Sequence, residues 1–469
     1  MAFASPFPLN SWRCSRLGRT LKASFTGLAL TAGVLVLSAC GTMSSVVGDG
    51  GGQGSQVVEG PSGPNIPGRG PRPNVSPIGP NGPSATGGPR IGTGVGTGPL
   101  KVALLVPQSG RSRDQVALGN ALFDAAQMAL FDTGRGDVTL IVKNTGSGPG
   151  SAANAAQQAI NEGAEIILGP VFAEEVGAVR AVAAPLGVPV IAFSSDNAAA
   201  GGGAYLLSFP AEEEIRAVVN YAASRGLGLF AVLTPPNAYG RRATNVFSRD
   251  VAAIGGAVVA EATYSGSKGA MYPSVMQLDG KDFDAIFMPD GGSSLRDIAG
   301  LVRFGPPPPP DPAPLTDEQI AAGVAPPPPP APLPRAVLPD YVLLGTGQWD
   351  EAANGSSGGL ARGVFASPEP SARSSFSVRF EGAYGYRPPR VASLGYDAMS
   401  LAATLSSDLP GQRFSASAIT SPNGFSGVDG IFRFLPNGTI QRGLAIIEVT
   451  GGGFSVLRPA PRTFQAAGY

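Results

Sequence analysis

The chain has 469 residues, with 33 Lys and Arg against 33 Asp and Glu, so its formal charge is zero. That balance argues against nucleic-acid binding as a main function. Histidine is absent, which removes imidazole as base, proton shuttle or metal ligand, and the only cysteines are Cys14 and Cys40. With 43% hydrophobic residues there is material for a core in two lobes, while the excess of glycine and proline is concentrated in two tracts.

Arg13, Arg16, Arg19 and Lys22 precede an apolar run from Ala23 to Leu37, which ends in Ser38-Ala39-Cys40-Gly41. This run of 15 residues falls short of the roughly 20 needed for a permanent bilayer-spanning helix. The pattern resembles a bacterial lipoprotein signal, residues 1–39, cleaved to leave Cys40 as the lipidated first residue. Gly41 in place of Asp after that cysteine resembles an outer-membrane address, so the chain is expected on the periplasmic side of the outer membrane. Residues 40–99 contain repeated Gly-Pro, Pro-Asn and Gly-Thr pairs and hardly any large apolar side chain. Such a segment buries too little surface to offset its conformational entropy and is expected to be a disordered tether.

From Lys101 onward, strand and helix patterns alternate. Lys101 to Val106, Val138 to Val142, Glu165 to Leu168 and Val188 to Phe193 read as short apolar strands. Helices are expected between them, one with Leu118, Leu122, Ala125, Ala126 and Ala129 on a single face, then Ser151 to Asn161 and Val171 to Ala184. A second series follows Tyr205 to Phe209. Its first helix carries Ile215, Val218, Val219 and Ala222 as a stripe, and Glu212, Glu213 and Glu214 in a first turn that suits the dipole. Strands at Leu229 to Leu233, Ala257 to Tyr264 and Ala285 to Met288 alternate with helices at Tyr239 to Ile254 and Ser293 to Phe304. Residues 305–339 hold two runs of five prolines, Pro306 to Pro310 and Pro326 to Pro330, and read as a polyproline II insertion loop in the second lobe. Tyr341 to Leu344 and Gly363 to Phe365 resume the sheet. Strands so spaced imply an α/β fold of two doubly wound parallel-sheet lobes, with ligands bound beyond the carboxyl ends of the strands.

The run Lys101 to Gly110, the Ile166-Ile167-Leu168-Gly169-Pro170 strand end and Gly187 to Ser194 resemble the type I periplasmic binding proteins, the leucine/isoleucine/valine receptor class. Tyr239-Gly240-Arg241, Tyr396-Asp397-Ala398, Gly427 to Phe434 and Asn437-Gly438 follow in the same order. The resemblance spans about residues 100–457 and implies a Venus-flytrap fold that crosses between lobes three times. Lobe 1 is then residues 100–210 with about 370–410, and lobe 2 residues 211–369 with about 411–458. Two branches of the family remain open. One comprises lipoproteins that activate penicillin-binding proteins, the peptidoglycan synthases, and the helix Gly119 to Asp132 looks most like these. The other comprises solute receptors that deliver amino acids or another small polar ligand to an ABC permease. In the receptors a Ser after the third strand and a Thr after the fourth hold the ligand. This chain offers Ala173 or Glu174 for the first and Asp196 for the second, which weakens amino-acid binding because a carboxylate at Glu174 repels a substrate carboxylate. The cleft candidates are Gln108, Ser109, Ser194, Ser195, Asp196, Tyr239 and Asp290.

Enzyme motifs are incomplete. Gly355-Ser356-Ser357-Gly358-Gly359 has nucleophile-elbow spacing but no histidine to serve it. Ser265-Gly266-Ser267-Lys268 and Ser195-Asp196-Asn197 stand in reversed order and lack the Lys-Thr-Gly or Lys-Ser-Gly strand that a penicillin-reactive site needs. Gly146 to Gly150 reads as a strand-to-helix turn, and Asp279, Asp282 and Asp284 as turn residues. No catalytic residue, metal or cofactor is expected.

Overall fold

The computed structural model describes residues 94–264, 268–306, 315–323, 325 and 341–464. The lipoprotein signal with Cys40, the tether up to residue 93, Ser265 and all of the two proline runs except Pro306 lie outside them. Among the described residues no helix is long and apolar enough to cross a membrane.

The first series runs β1 (Leu100–Val106), α1 (Arg113–Thr133), β2 (Val138–Asn144), α2 (Pro149–Asn161), β3 (Ala164–Leu168), α3 (Ala173–Ala183), β4 (Val190–Ala192) and β5 (Ala204–Leu206). All five strands pair in parallel in the order β2-β1-β3-β4-β5. β1 is apolar without a break from Val102 to Val106 because both faces of this sheet are covered. Val102, Leu104 and Val106 face one core, and Ala103 and Leu105 the other. Ser112 starts α1 with a reciprocal capping box to Gln115, and Gly134 ends it in the left-handed conformation.

The second series runs α4 (Ala211–Ser224), β6 (Leu229–Thr234), α5 (Ala238–Ala253), β7 (Ala257–Thr263), α6 (Lys268–Met276), β8 (Ala285–Phe287), α7 (Gly292–Phe304), α8 (Asp317–Ala321), β9 (Val342–Gly345), α9 (Ala352–Gly355) and β10 (Val364–Ser367). The chain returns to lobe 1 with α10 (Pro370–Tyr384), α11 (Ala392–Leu405), α12 (Ala416–Ile419), β11 (Phe425–Gly427), β12 (Gly430–Phe434) and β13 (Ile440–Arg442). It ends in lobe 2 with β14 (Ala445–Val449) and β15 (Phe454–Arg458). The lobe 2 sheet has the order β15-β14-β10-β9-β8-β6-β7, parallel except for the antiparallel edge formed by β14 and β15. Trp349, Phe365 and Leu343 fill its core on one face, and Phe230, Phe247 and Phe287 on the other.

α1 and α11 lie against each other in lobe 1, where Gly395 permits the close approach: a Cβ there would overlap the Leu122 carbonyl. α10 adds Phe376 and Phe380 beside Ala121 and Ala125 of α1.

Several expectations need correction. Residues 411–442 were expected in lobe 2, but Phe414, Ile419, Phe432, Phe434 and Ile440 are buried with β1 and α11 in the lobe 1 core. The third crossing therefore comes at Arg442 to Leu444. The tether ends earlier than residue 99, since Val95 pairs with Leu140 at 2.8 Å and the Thr139 hydroxyl donates to the Gly98 carbonyl at 2.7 Å. Within the proline-rich insertion, Thr316 and Gln319 form a capping box that starts α8. α6, which carries Pro273, had no counterpart among the expected helices.

Candidate functional site

In lobe 1 the strand order reverses between β1 and β3, and in lobe 2 between β6 and β8. At such switch points the loops leaving the strands diverge and open a crevice. The candidate residues follow the carboxyl ends of these strands and of β4.

In lobe 1, Asn144 at the end of β2 organises the loop after β1. Its Oδ1 accepts from the backbone N–H groups of Gln108 (2.8 Å), Ser109 (3.2 Å) and Gly146 (3.1 Å), and its Nδ2 donates to Ser109 Oγ at 2.5 Å. Gln108 is buried and Ser109 exposed. Arg111 then reaches across all three loops. Its Nε donates to the Gly146 carbonyl at 3.1 Å, one Nη lies 2.6 Å from Glu175 Oε1 and the other 3.4 Å from Glu174 Oε1. The guanidinium also stands 4.2 Å from the Phe172 ring centroid, a cation–π distance. Burial raises the pKa of Glu175, and Arg111 opposes that shift.

After β4, Ser194 is buried and its Oγ accepts from the Asp196 backbone at 3.1 Å, while Asp196 Oδ1 caps the Ala198 N–H at 3.1 Å. Ser195 and Asp196 are exposed. Asp196 thus combines a helix-cap role with a carboxylate open to solvent.

Lobe 2 builds its wall from phenols. The Tyr239 hydroxyl donates to Thr346 Oγ1 at 2.9 Å, and burial raises its pKa. Asp290 accepts from the buried Tyr264 hydroxyl, from Ser294 Oγ at 2.7 Å and from the Gly291 N–H at 2.8 Å. Burial, followed by the bonded Asp290 carboxylate, pushes the Tyr264 pKa up, so this phenol stays neutral. Trp349, fully buried, donates from Nε1 to the Met288 carbonyl at 3.1 Å and fixes the segment after β9.

The structure therefore groups Gln108 with Ser109, and Ser194 with Asp196. Tyr239 and Asp290 are held separately within lobe 2. Sequence reasoning missed Asn144, Arg111, Glu175, Thr346 and Tyr264. Asn144, Thr346 and Tyr264 stand at strand ends, the same signal that picked out Gln108 and Asp290. Glu214 is also more than a dipole partner: it is buried and its Oε2 accepts the Gly347 N–H at 2.8 Å. A Cβ at position 347 would overlap that carboxylate, which explains the glycine.

Other motifs have structural roles. Ser151 Oγ bonds the Thr145 and Gly148 carbonyls at 2.5 and 3.0 Å, closing the Gly146 to Gly150 turn. Asp284 Oδ2 accepts from Gly228 and Leu229 at 2.8 and 2.9 Å, pinning the start of β6. A groove beside Ser248, Ala252, Val259 and Glu261 lies at the beginning of β7, at the sheet edge opposite the candidate residues.

A family model described as periplasmic binding protein matches residues 99–301. No curated protein matches the chain significantly. Among solved structures, a protein described as a branched-chain amino acid ABC transporter from Rhodospirillum rubrum has a TM-score of 0.61 at 16% identity, covering 76% of this chain and 99% of that one. A branched-chain amino acid ABC transporter periplasmic ligand-binding protein from Burkholderia xenovorans has a TM-score of 0.56 at 15% identity, covering 77% and 96%. An ABC transporter substrate-binding protein from Sphaerobacter thermophilus has a TM-score of 0.55 at 17% identity, covering 76% and 96%. Residues 99–301 thus carry the sequence signal of the periplasmic binding protein family, and the described residues share the two-lobed fold of these ABC-transporter proteins.

Proposed function

We propose that the domain is a non-enzymatic receptor for a small polar solute bearing an amine, which it presents to an ABC permease from a lipid anchor at Cys40. The observation that carries this reading is the pair of carboxylates at the strand ends of the two lobes. Asp196 is open to solvent after β4, and Asp290 is held by Tyr264, Ser294 and Gly291 after β8. Acceptor-only groups on both walls favour a cationic ligand. The family match and the fold of the ABC-transporter proteins support the receptor class.

A second reading is favoured by Arg111. In amino-acid receptors the position after β3 holds the ligand carboxylate, whereas here it falls on Ala173 or Glu174, and Glu174 and the adjacent Glu175 are already paired with Arg111. A cleft closed by its own ion pairs suits a docking domain. On this reading the chain is an outer-membrane lipoprotein that activates a peptidoglycan-synthesising penicillin-binding protein, reached through the Gly/Pro tether. Thermal shift of the purified full chain against amino acids, amines and muropeptides separates the two readings. A solute at 100 times its Kd adds about 2.7 kcal/mol of stability. No shift with any of these solutes, together with stimulation of glycan synthesis by a class A penicillin-binding protein, overturns the receptor reading. Shift by an amine without such stimulation overturns the activator.

A further inference from the structure

The first and third crossings between lobes meet in one cluster of charged side chains around an aromatic ring. Phe209 lies in the first crossing, between β5 and α4. Arg442 opens the third, between β13 and β14, and its guanidinium carbon is 4.4 Å from the Phe209 ring centroid. Arg390, from the segment joining α10 to α11, approaches the same ring at 3.9 Å. Two guanidiniums thus hold one ring, and each is tied elsewhere. Arg442 Nε donates to the Ser208 carbonyl at 2.6 Å, while Arg390 pairs with the buried Asp429 carboxylate at 3.0 Å. The second crossing enters through Arg373 at the start of α10, which forms a bidentate pair with Asp350 after β9.

Four polar atoms of the cluster lack a fixed hydrogen bond. Arg442 Nη1 and Nη2, Asp397 Oδ2 and Asp429 Oδ2 are buried and make none among the described residues. Opposite charges held together chiefly by field and ring contact tolerate small rotations that directional hydrogen bonds resist. Glu214, whose charge also feels Arg390 and Arg442, accepts the Gly347 N–H, and the neighbouring Thr346 takes the Tyr239 hydroxyl. Hydrogen bonds thus lead from Glu214 to the Thr346–Gly347 segment, and Glu214 stands within the field of the two arginines of the cluster.

We infer that Phe209, clamped between Arg390 and Arg442, is the pivot that sets the resting angle between the lobes, and that Glu214 couples this pivot to the Thr346–Gly347 segment of the cleft. The inference rests on the reading that the lobes move about their crossings, but its test needs no ligand. In the full chain with Cys14 and Cys40 replaced by Ser, Asn154→Cys on α2 and Asn245→Cys on α5 place one spin label on each lobe. Phe209→Leu keeps the apolar contact and removes the π face, whereas Phe209→Trp keeps both. The expected result is a single interlobe distance peak in the parent and in Phe209→Trp, lost or shifted in Phe209→Leu with unchanged circular dichroism.

Arg390→Met should lose or shift the peak as well, with the double variant no further from the parent than Phe209→Leu alone. If Phe209→Leu fails to melt cooperatively, Arg390→Met, which leaves the ring in place, decides the matter. A parent-like distance peak in a folded Phe209→Leu, or in Arg390→Met where that variant decides, overturns the pivot. Glu214→Gln tests the coupling: a distance peak and Tyr239 environment identical to the parent exclude it. Failure of every solute to bind bears on the receptor reading alone, because the distance measurement is made without ligand.

Discussion

In lobe 1 the strand ends at the cleft are fastened by Asn144 and Arg111, side chains that knit three loops together through hydrogen bonds and ion pairs near solvent. In lobe 2 the corresponding strand ends are fastened by Tyr239, Tyr264 and Trp349, which bury aromatic rings and spend their single polar atom on a partner within the lobe. The difference teaches where specificity can change at low cost. A wall made of loop hydrogen bonds alters with one or two substitutions, whereas a wall made of buried rings is tied to the core that holds the lobe together. On the lobe 1 side, Glu174 and Glu175 are held by Arg111 alone among the described ion pairs.

The comparison breaks first at Trp349. Trp349→Ala removes a fully buried ring beside Phe365 and is expected to cost about 3–5 kcal/mol, read by denaturant unfolding. A loss below 1 kcal/mol would place the lobe 2 wall with the adaptable one.

Next comes pH. Burial pushes the Glu214 pKa from 4.5 up to about 7, so between these values the folded state retains a proton that the unfolded chain releases. Its contribution to stability is full below pH 4.5 and is lost as the pH rises through about 7, on the order of 3 kcal/mol in total. Burial and the nearby Asp429 charge raise the Asp397 pKa too, which adds a fall of the same sign. Unfolding free energies measured from pH 4.5 to 8 should decline, and Glu214→Gln should flatten the decline.

In lobe 1, Asn144→Ala strands the Gln108 N–H and is expected to cost about 1–3 kcal/mol, with faster amide exchange confined to the loops after β1 and β2. Exchange spreading into β3 and β4 would mean that this wall is also integral to its core. The smallest effect belongs to Asp137→Asn, which breaks a surface pair with Arg135 at 2.8 Å and should change stability by less than about 1 kcal/mol, less still in high salt.

Strands with both faces covered were readable because apolar residues fill most of each one. β1, β3 and β6 emerged within a residue of their observed limits. Candidate residues at strand ends followed from the same pattern together with the switch-point rule. Side-chain partners were not readable in this way: Arg111 and Glu175 are 64 positions apart, and nothing local in either residue records the other. The stretch 411–442 shows the limit most clearly. Its short strands alternate in burial, as a half-covered antiparallel meander does, and that alternation does not say which lobe supplies the covering core.

By itself, then, the sequence determined the alternation of strand and helix, the parallel sheets, the lack of imidazole chemistry and the residues that end each strand, since all of these are set by residue type and short-range periodicity. Only the tertiary structure decided that Phe209, Arg390 and Arg442 meet where the chain crosses between the lobes, that Glu214 is buried against Gly347, and that Arg111 pairs with Glu174 and Glu175. Those contacts join segments far apart in the chain. Their energies depend on burial and on distance through space, and neither quantity is written in local order.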